Sequence, residues 1–292
     1  MSKLFIFGLG FSALTLSRRL MAQGWQVAGT VRTPEKAAAL RAEGVGAVVF
    51  DGREAGRDVP AALAGADHVA VSIPPGEAGD PVLLHHRADL AEWTGAIRWL
   101  GYLSTLGVYG DHGGDWIDEE TVPDPVSPRN ARRVAAEHDW RRFGEETGIP
   151  VMIFRIAGIY GPGRNALAKV ASGEARRLVK PGQVFNRIHV ADIAGVLEAS
   201  MRRPRAGGVY NVCDDEPAPP QDVIAYAAEL LGVEPPPEVP FDEAELSPMA
   251  RTFYSANRRA RNDRIRQELG VRLEYPDYRR GLNALFAAGE GR

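Results

Sequence analysis

A glycine-containing turn near the start of the chain limits its possible folds more than any other feature. An uninterrupted apolar run at 4–7 is followed by Gly8 and Gly10, and residues 12–23 have the apolar spacing of a helix. A strand, then G-x-G-x-x-A, then a helix is typical of a turn on which a dinucleotide pyrophosphate rests. The alternative is a glycine turn that binds no ligand. The predicted cofactor contacts in this segment are Gly8, Gly10, Phe11, Ser12 and Ala13.

Apolar runs alternate with helical patterns over much of the chain. The runs predict strands at 4–7, 26–31, 47–50, 68–73, 97–104, 151–156 and 209–213. Two of the helical patterns begin with a capping residue followed by proline, at Thr33-Pro34 and Ser127-Pro128. Runs without polar alternation are typical of strands buried on both faces. The pattern therefore predicts an α/β fold of the Rossmann type, with a doubly wound parallel sheet.

After residue 214 the sequence becomes proline-rich and then helical again. Helices are predicted at 221–231, 258–269 and 278–288. So short a stretch cannot fill a large core of its own, and we expect a small, mostly helical C-terminal lobe that packs on the sheet domain. The predicted division is a dinucleotide-binding core at 1–160, completed by about 183–215, and a substrate-side lobe at 161–182 and 216–292.

Composition argues against several classes of protein. The net charge of −3 gives no overall electrostatic footprint for nucleic acid, and no apolar run approaches the length that spans a membrane. Cys213 is the only cysteine, so no disulfide within the chain and no cysteine cluster for zinc can form. The apolar stretch after Lys3 is interrupted by the glycine turn and continues as a helix, so we do not interpret it as a signal peptide. We expect a cytoplasmic protein with neither a nucleic-acid nor a membrane partner.

The end of the second strand indicates which cofactor is preferred. A site for NAD usually has Asp or Glu there to bind the ribose 2′-hydroxyl, whereas this chain has Val31 and then Arg32. A guanidinium binds a 2′-phosphate that a carboxylate would repel, so the sequence favours NADP over NAD. The alternative is that Arg32 lies in solvent at a strand end. Asp51 is a candidate for the adenine amino group, or else a turn residue. The remaining predicted cofactor contacts are Ser72, Ile73 and Pro74.

Residues 103–110, Leu-Ser-Thr-Leu-Gly-Val-Tyr-Gly, end the fifth predicted strand at the edge where open α/β sheets bind ligands. Together with the glycine turn and segments 127–128, 154–162, 187–190 and 210–212, they resemble the extended short-chain dehydrogenase/reductase family of sugar-nucleotide epimerases and dehydratases. The resemblance covers most of the chain. It implies an NAD(P)-dependent enzyme in which Thr105 binds the substrate oxygen.

The family's Tyr-x-x-x-Lys pair, which relays a proton and holds the cofactor ribose, falls on Arg129 and Arg133. Arg129 stays protonated, so it cannot exchange a proton as a phenol does. Arg133 can still bind ribose hydroxyls and keep a positive charge near the nicotinamide. At i and i+4 the two guanidinium groups share a helix face and repel mildly, unless an anion of the cofactor or substrate lies between them. The alternative is that both point into water.

Other side chains remain candidates for the active site. Tyr109 is near Thr105 on the same loop and is a candidate acid, with a packed aromatic under the loop as the alternative. His189 lies in a segment that resembles a family element lining the cleft, where a structural histidine is the favoured interpretation. Arg164 and Arg187 indicate an anionic group on the substrate. His112, within the acidic segment 111–120, is interpreted as part of a loop beside the cleft, and we expect no metal site.

Two functions from different classes follow from these residues. The leading one is an NAD(P)-dependent oxidoreductase or epimerase-like enzyme with an atypical active site, whose substrate is a small anionic or sugar-nucleotide molecule. The alternative is a catalytically silent dinucleotide-binding sensor or regulatory protein. Relatives in the family often pair through two helices of the sheet domain, and by that resemblance we expect a homodimer.

Overall fold

A computed structural model of the protein describes residues 2–291, apart from the side chains of residues 248–250. The strands are β1 (Lys3–Phe7), β2 (Gln26–Val31), β3 (Gly46–Val49), β4 (His68–Val71), β5 (Trp99–Thr105), β6 (Trp116–Ile117), β7 (Val151–Ile156), β8 (Gly158–Tyr160), β9 (Arg177–Val179), β10 (Arg187–His189), β11 (Val209–Val212), β12 (Glu238–Pro240) and β13 (Arg259–Ala260). The helices are α1 (Phe11–Met21), α2 (Pro34–Ala42), α3 (Val59–Leu63), α4 (Pro81–Ala91), α5 (Pro128–Thr147), α6 (Ala166–Ala171), α7 (Val190–Arg202), α8 (Pro220–Leu231), α9 (Pro248–Tyr254), α10 (Asp263–Gln267) and α11 (Tyr278–Ala287). Two 3₁₀ turns lie at Leu106–Tyr109 and Phe241–Glu243.

Seven strands form one parallel sheet in the order β11-β7-β5-β4-β1-β2-β3. The predicted Rossmann-type doubly wound fold is therefore confirmed. From β1 the chain builds outward to β3 and then crosses back to β4 on the other side of β1. In such sheets the crevice at this reversal, outside the carboxyl ends of the strands, is where ligands bind.

Both faces of the sheet are covered, which explains why its strands are apolar runs. Alternate side chains of a strand point to opposite faces. Leu4 and Ile6 of β1 accordingly join the core beneath α1 and α7, whereas Phe5 and Phe7 join the core on the other face, with Trp140 of α5. Each fully buried side chain of this size contributes about 1.5–3 kcal/mol, so burying both rows favours an interior place for β1 in the sheet.

The C-terminal lobe has a small core of its own. Helices α6, α8 and α11 pack around Leu167, Ala227 and Leu282. The short parallel pair β9 with β12 lies within the lobe, whereas the pair β6 with β13 joins the lobe to the sheet domain. None of the helices within residues 2–291 is long and apolar enough to cross a membrane.

The single helix predicted over 258–269 is wrong. Residues Arg259–Ala260 instead form β13, which pairs with β6, and the N–H of Arg259 donates to the Asp115 carbonyl at 2.9 Å. Only Asp263–Gln267 is helical, and its Ile265 packs into the core of the sheet domain. Backbone pairing with a distant strand has overridden the local helical period, which sequence spacing alone does not reveal.

Candidate functional site

The glycine turn after β1 is held against the neighbouring strands through its backbone. The N–H of Gly8 donates to the Thr30 hydroxyl at 2.9 Å, and the N–H of Leu9 donates to the Thr30 carbonyl at 2.8 Å. Gly8 has a φ of +96°, and a Cβ there would lie 2.9 Å from Cγ1 of Ile73. Only glycine meets both conditions without strain or displacement of Ile73. The turn therefore fits closely against the end of β2 and the segment after β4.

The first turn of α1 presents unpaired hydrogen-bond donors. Among the residues that the structure describes, no acceptor is bonded to the backbone N–H of Phe11, Ser12 or Ala13. The first turn has no acidic residue that would compete with an anion, and a Cβ at Gly10 would meet nothing within 4 Å. Unpaired N–H groups at the positive end of a helix dipole suit a pyrophosphate. The residues present therefore fit the dinucleotide that the sequence predicts.

A cleft of about 670 Å³ lies at the carboxyl ends of β1, β2 and β4. Its volume is within the usual range for small-molecule and cofactor sites. Most of the predicted cofactor contacts line it: Gly8, Gly10, Arg32, Asp51, Ser72, Ile73 and Pro74. The other three, Phe11, Ser12 and Ala13, form the first turn of α1 beside it. Residues from well-separated parts of the sequence thus meet at one edge because the strands are parallel.

Two exposed cations stand where β2 passes into α2. Arg32 follows β2, and Lys36 lies in the first turn of α2, where its backbone N–H donates to the Thr33 hydroxyl at 3.3 Å. Both line the cleft, and neither side chain has a partner among residues 2–291. Sequence reasoning misses Lys36. The cap at Thr33-Pro34 could have predicted it. The cap fixes where α2 begins, and so it places Lys36, the third residue of α2, near Arg32.

Two carboxylates lie on other walls of the cleft. Asp51 accepts the N–H of Arg53 at 2.9 Å, so it forms the turn that the sequence left as an alternative while still lining the cleft. Glu77, which the sequence did not single out, lies in the loop before α4 and forms an ion pair with Arg132 of α5 at 2.9 Å. Neither carboxylate occupies the end of β2, the position at which NAD-binding sites usually have one.

Thr105 ends β5 at the same edge of the sheet. Its Oγ1 accepts the N–H of Gly107 at 3.1 Å and so caps the 3₁₀ turn Leu106–Tyr109. Because that oxygen already accepts a hydrogen bond, its own proton is free to be donated to a ligand. This geometry is compatible with the role that the resemblance implies, and the role itself stays a prediction.

The two arginines at the family's Tyr and Lys positions separate. Arg133 turns toward β5, where its Nη1 donates to the Leu103 carbonyl at 2.9 Å and lies 3.2 Å from the Tyr102 hydroxyl. Arg129 is exposed and has no partner within residues 2–291. The structure therefore brings Arg133, but not Arg129, to the strand that ends in Thr105. Arg129 therefore fits the alternative of a side chain in water, whereas the binding of ribose or of an anion by Arg133 stays a prediction.

Tyr109 is enclosed in the protein interior. Its side chain is fully buried, its hydroxyl donates to Oδ1 of Asn211 at 2.8 Å, and burial raises its pKa to about 12. A phenol that is sequestered and bonded in this way does not exchange protons with a molecule in an open cleft. The structure therefore favours the packed aromatic, rather than the acid, for Tyr109.

A buried charge network lies beneath the end of β5, and sequence reasoning misses it. Glu137 of α5 accepts from Arg155 of β7 at 2.8 Å and from the Ser104 hydroxyl at 2.5 Å. The guanidinium of Arg155 also lies 4.7 Å from the ring centroid of Tyr109. Glu137 and Arg155 are both about 3% exposed, so this pair holds α5, β5 and β7 together directly behind Thr105.

His189 caps α7 and does not face the cleft. Its Nδ1 accepts the N–H of Ala191 at 3.3 Å, and its ring lies 4.0 Å, centroid to centroid, from that of Tyr275. Burial lowers the pKa of His189 to about 4, so the ring is neutral. The structure favours the structural interpretation, although the bonded backbone group is an N–H rather than a carbonyl.

The two arginines predicted to meet the substrate occupy different surroundings. Arg187 uses its Nη1 within the protein, donating to the carbonyls of Phe185 and Ala218 at 2.9 Å each. Arg164 is exposed on the loop between β8 and α6, with its guanidinium carbon 6.0 Å from the ring centroid of Phe11. Arg164 therefore lies beside the glycine turn.

The acidic loop before and after β6 is held by backbone contacts. Nε2 of His112 lies 3.0 Å from the Tyr109 carbonyl, and Asp111 accepts the N–H of Asn257 at 2.7 Å. Among residues 2–291, no group of three or more His, Cys, Asp or Glu side chains is arranged to hold a metal ion.

Residues 5–213 match the family described as the NAD dependent epimerase/dehydratase family. The chain is 31% identical to protein YeeZ of Escherichia coli K12 over 287 residues, which cover 95% of this chain and 97% of that protein. A functionally unknown conserved protein from Silicibacter pomeroyi DSS shares 52% identity over 99% of this chain and 100% of its own, with a TM-score of 0.90. A UDP-glucose 4-epimerase from Thermus thermophilus, solved with NAD, has a TM-score of 0.74 at 22% identity, over 99% and 100% of the chains. The chain therefore belongs to the NAD-dependent epimerase/dehydratase family, as its resemblance to the extended short-chain dehydrogenases/reductases predicts.

Proposed function

We propose that this protein binds NADP(H) in the cleft and acts as an oxidoreductase or epimerase-like enzyme on a small anionic molecule of the sugar-nucleotide class. The observation that carries the proposal is the convergence of the glycine turn, the unpaired N–H groups of α1 and the cations after β2 on one cleft. The UDP-glucose 4-epimerase of similar fold, which was solved with NAD, supports a nicotinamide dinucleotide as the cofactor.

Arg32 and Lys36 support a preference for NADP over NAD. Both are unpaired cations at the cleft wall where the adenosine ribose of a dinucleotide lies in Rossmann folds. A 2′-phosphate there gains charge-assisted hydrogen bonds of about 1.5–3 kcal/mol each, whereas a bare 2′-hydroxyl offers no charge to either group.

In this proposal, Thr105 and Arg133 stabilise the charge that develops on the substrate. A bound nicotinamide supplies or accepts the hydride. The Thr105 hydroxyl donates a hydrogen bond to the substrate oxygen, on which negative charge accumulates as a carbonyl is reduced. Arg133, bonded to the Leu103 carbonyl, keeps a permanent positive charge at the same strand. The proton itself comes from solvent, because neither Arg133 nor the enclosed Tyr109 releases one near neutral pH.

A catalytically silent dinucleotide-binding sensor or regulatory protein is the second candidate. Two observations on possible proton donors favour it. Arg129, at the position of the family's tyrosine, lies in solvent, and Tyr109 is buried against Asn211. A protein of this kind would bind the cofactor with the same geometry and transmit a change in its redox state rather than turn over a substrate.

Fluorescence titration with NADPH and NADH tests the cofactor preference. We expect NADPH to bind at least about tenfold more tightly than NADH. Arg32→Met and Lys36→Met should each weaken NADPH about tenfold and leave NADH unchanged, because only NADPH carries the 2′-phosphate. Lys169→Met, which removes an exposed cation of α6, serves as the control. Equal affinities for the two cofactors in wild type and variants would refute the preference.

Turnover of NADPH with keto-sugar nucleotides distinguishes the enzyme from the sensor. For an enzyme, Thr105→Val should lower kcat about 10²–10³-fold with an unchanged NADPH Kd, and Thr105→Ser should restore much of it. Thr94→Val, on an exposed turn, should have no effect. NADPH binding without turnover of any substrate in the wild type favours the sensor.

A homodimer stays part of the proposal. It rests on the family resemblance, in which relatives pair through two helices of the sheet domain. Light scattering on the purified protein should give twice the chain mass, and a mass of one chain at micromolar concentration would contradict it.

A further inference from the structure

The loop that joins β8 to α6 forms a second wall beside the glycine turn. The guanidinium carbon of Arg164 lies 6.0 Å from the ring centroid of Phe11, the first residue of α1. A Cβ on Gly161 would lie 3.3 Å from Cζ of Phe11, so the loop backbone also touches that ring. Arg164 thus stands next to the helix terminus whose N–H groups are unpaired.

Hydrogen bonds close this loop into a turn and join it to Glu290, which follows α11. The N–H groups of Gly161 and Arg164 each donate to the other's carbonyl at 3.0 Å. Glu290 accepts from the Gly163 N–H and from the Asn165 side-chain amide, both at 2.9 Å. The same amide donates to the Gly161 carbonyl at 2.9 Å. A carboxylate near the C-terminus therefore holds the backbone from which Arg164 projects.

Arg164 is an available cation at this position. Among residues 2–291 it has no carboxylate partner, and its guanidinium lies over the face of Phe11. The first turn of α1 supplies only about half a positive charge, whereas a pyrophosphate bridge carries two negative charges. Arg32 and Lys36 are committed to the opposite, adenosine end of the cleft in the proposed function.

We propose that Arg164, which lies over the ring of Phe11, binds the pyrophosphate of the dinucleotide opposite the N-terminus of α1, and that Glu290 positions it by fixing the loop Gly161–Asn165. This assignment rests on the proposed function, and it moves Arg164 from the substrate, where the sequence placed it, to the cofactor. Arg164 is a binding residue, and Glu290 is a positioning residue that does not touch the ligand.

Binding measurements with two probes test the assignment. NADPH carries the pyrophosphate, whereas adenosine 2′-monophosphate carries the 2′-phosphate alone. Arg164→Met should weaken NADPH roughly tenfold to a hundredfold and leave adenosine 2′-monophosphate unchanged. It should also flatten the dependence of the NADPH Kd on salt, and Arg164→Lys should recover part of the affinity. Lys169→Met, in the helix that follows the loop, should match wild type.

Glu290→Ala tests the positioning role. It should weaken NADPH by about three- to tenfold, without affecting adenosine 2′-monophosphate and with the wild-type response to salt, because Arg164 is still present. Glu290→Gln keeps one acceptor for the Gly163 N–H, so its NADPH Kd should lie between those of wild type and Glu290→Ala. Wild-type Kd values in both variants would overturn the role of Glu290.

The outcomes separate this inference from the proposed function. If wild type binds NADPH and Arg164→Met binds it equally well at every salt concentration, the pyrophosphate assignment falls and the proposed function stands. If Arg164→Met raises only the KM of the second substrate, Arg164 belongs to the substrate, and the assignment is again overturned. Failure of the wild type to bind either NADPH or NADH would remove the proposed function itself.

Discussion

The dinucleotide end and the proposed catalytic end of the candidate site are built by different means. At the dinucleotide end, the site is made of backbone: a glycine turn, the first N–H groups of α1 and the carboxyl ends of parallel strands. At the proposed catalytic end, where Thr105 terminates β5, it depends on side chains such as Arg133, and a buried ion pair between Glu137 and Arg155 lies behind them. The first end matches the family's glycine pattern, and the second has arginines at the two positions where the resemblance predicts the family's Tyr and Lys.

This difference shows which part of such a site tolerates change. Backbone donors persist under almost any substitution that keeps the turn and the helix, so dinucleotide binding is robust. A proton relay, in contrast, depends on one phenol in one place, and the sequence predicts that Arg129, in the first turn of α5, stands where the family has that phenol. We expect the proposed catalytic end to lose stability when a buried charge loses its partner. We expect the dinucleotide end to lose stability and cofactor affinity when a Cβ is added to its glycine turn.

The largest effect should come from breaking the ion pair behind the catalytic end. Glu137→Ala leaves the guanidinium of Arg155 buried without a carboxylate, and we expect a loss of about 3–5 kcal/mol in the free energy of unfolding. The double variant Glu137→Met with Arg155→Met should lose much less, because no charge is left uncompensated. Urea denaturation measures both. A double variant as unstable as Glu137→Ala would show that packing, not charge, explains the loss.

A slightly smaller effect is expected from pH, at the buried histidine that caps α7. Burial lowers the pKa of His189 to about 4, whereas an unfolded histidine titrates near 6.5. As the pH falls from 6.5 to 4 the unfolded chain takes up the proton first, so stability should fall by up to about 3 kcal/mol over this window. His189→Asn retains a helix cap but cannot titrate, and it should remove that part of the slope. An identical slope in wild type and variant would contradict the shift.

A moderate effect is expected from adding a Cβ to the dinucleotide end. Gly8→Ala must accept a φ of +96° and displace Ile73, and we expect a loss of about 1–3 kcal/mol in stability together with at least tenfold weaker NADPH binding. Gly24→Ala has a comparable φ of +83° but no atom within 4 Å of the added Cβ. It should therefore reduce stability and leave the NADPH Kd unchanged. Equal NADPH affinity in Gly8→Ala would show that the turn does not shape the site.

The smallest effect should come from uncapping α2. Thr33→Ala removes the acceptor for the Lys36 N–H and should cost about 1 kcal/mol in stability. Because the cap also places Lys36 beside Arg32, NADPH should bind a few-fold less tightly while NADH is unaffected. Thr33→Ser keeps the cap and should behave as wild type. A parallel loss for NADH would indicate a general disturbance of the cleft.

The dinucleotide end of the site could be predicted from sequence more fully than the proposed catalytic end. Gly8, Arg32 and the strand ends could be placed from sequence, because the parallel order of the strands fixes where their ends meet. For Tyr109 the sequence left both an acid and a packed aromatic open, since nothing in the spacing after Thr105 shows that the 3₁₀ turn directs its ring inward toward Asn211. Lys36 could also have been predicted from sequence, because the cap at Thr33 fixes where α2 begins.

Long-range pairings account for the rest of what the sequence did not reveal. Residues 258–269 have the local spacing of a helix, yet Arg259–Ala260 form β13 and pair with β6. The Glu137–Arg155 pair likewise joins α5 to β7, and neither residue has a local pattern that points to the other. Sequence spacing reports neighbours along one element and does not report contacts between elements.

A crystal structure of the protein grown with NADP⁺ tests the central claim most directly. The pyrophosphate should lie within hydrogen-bond distance of the N–H groups of Phe11 and Ser12, with the 2′-phosphate near Arg32 and Lys36. Density for the dinucleotide elsewhere on the protein, or none at millimolar NADP⁺, would contradict the account.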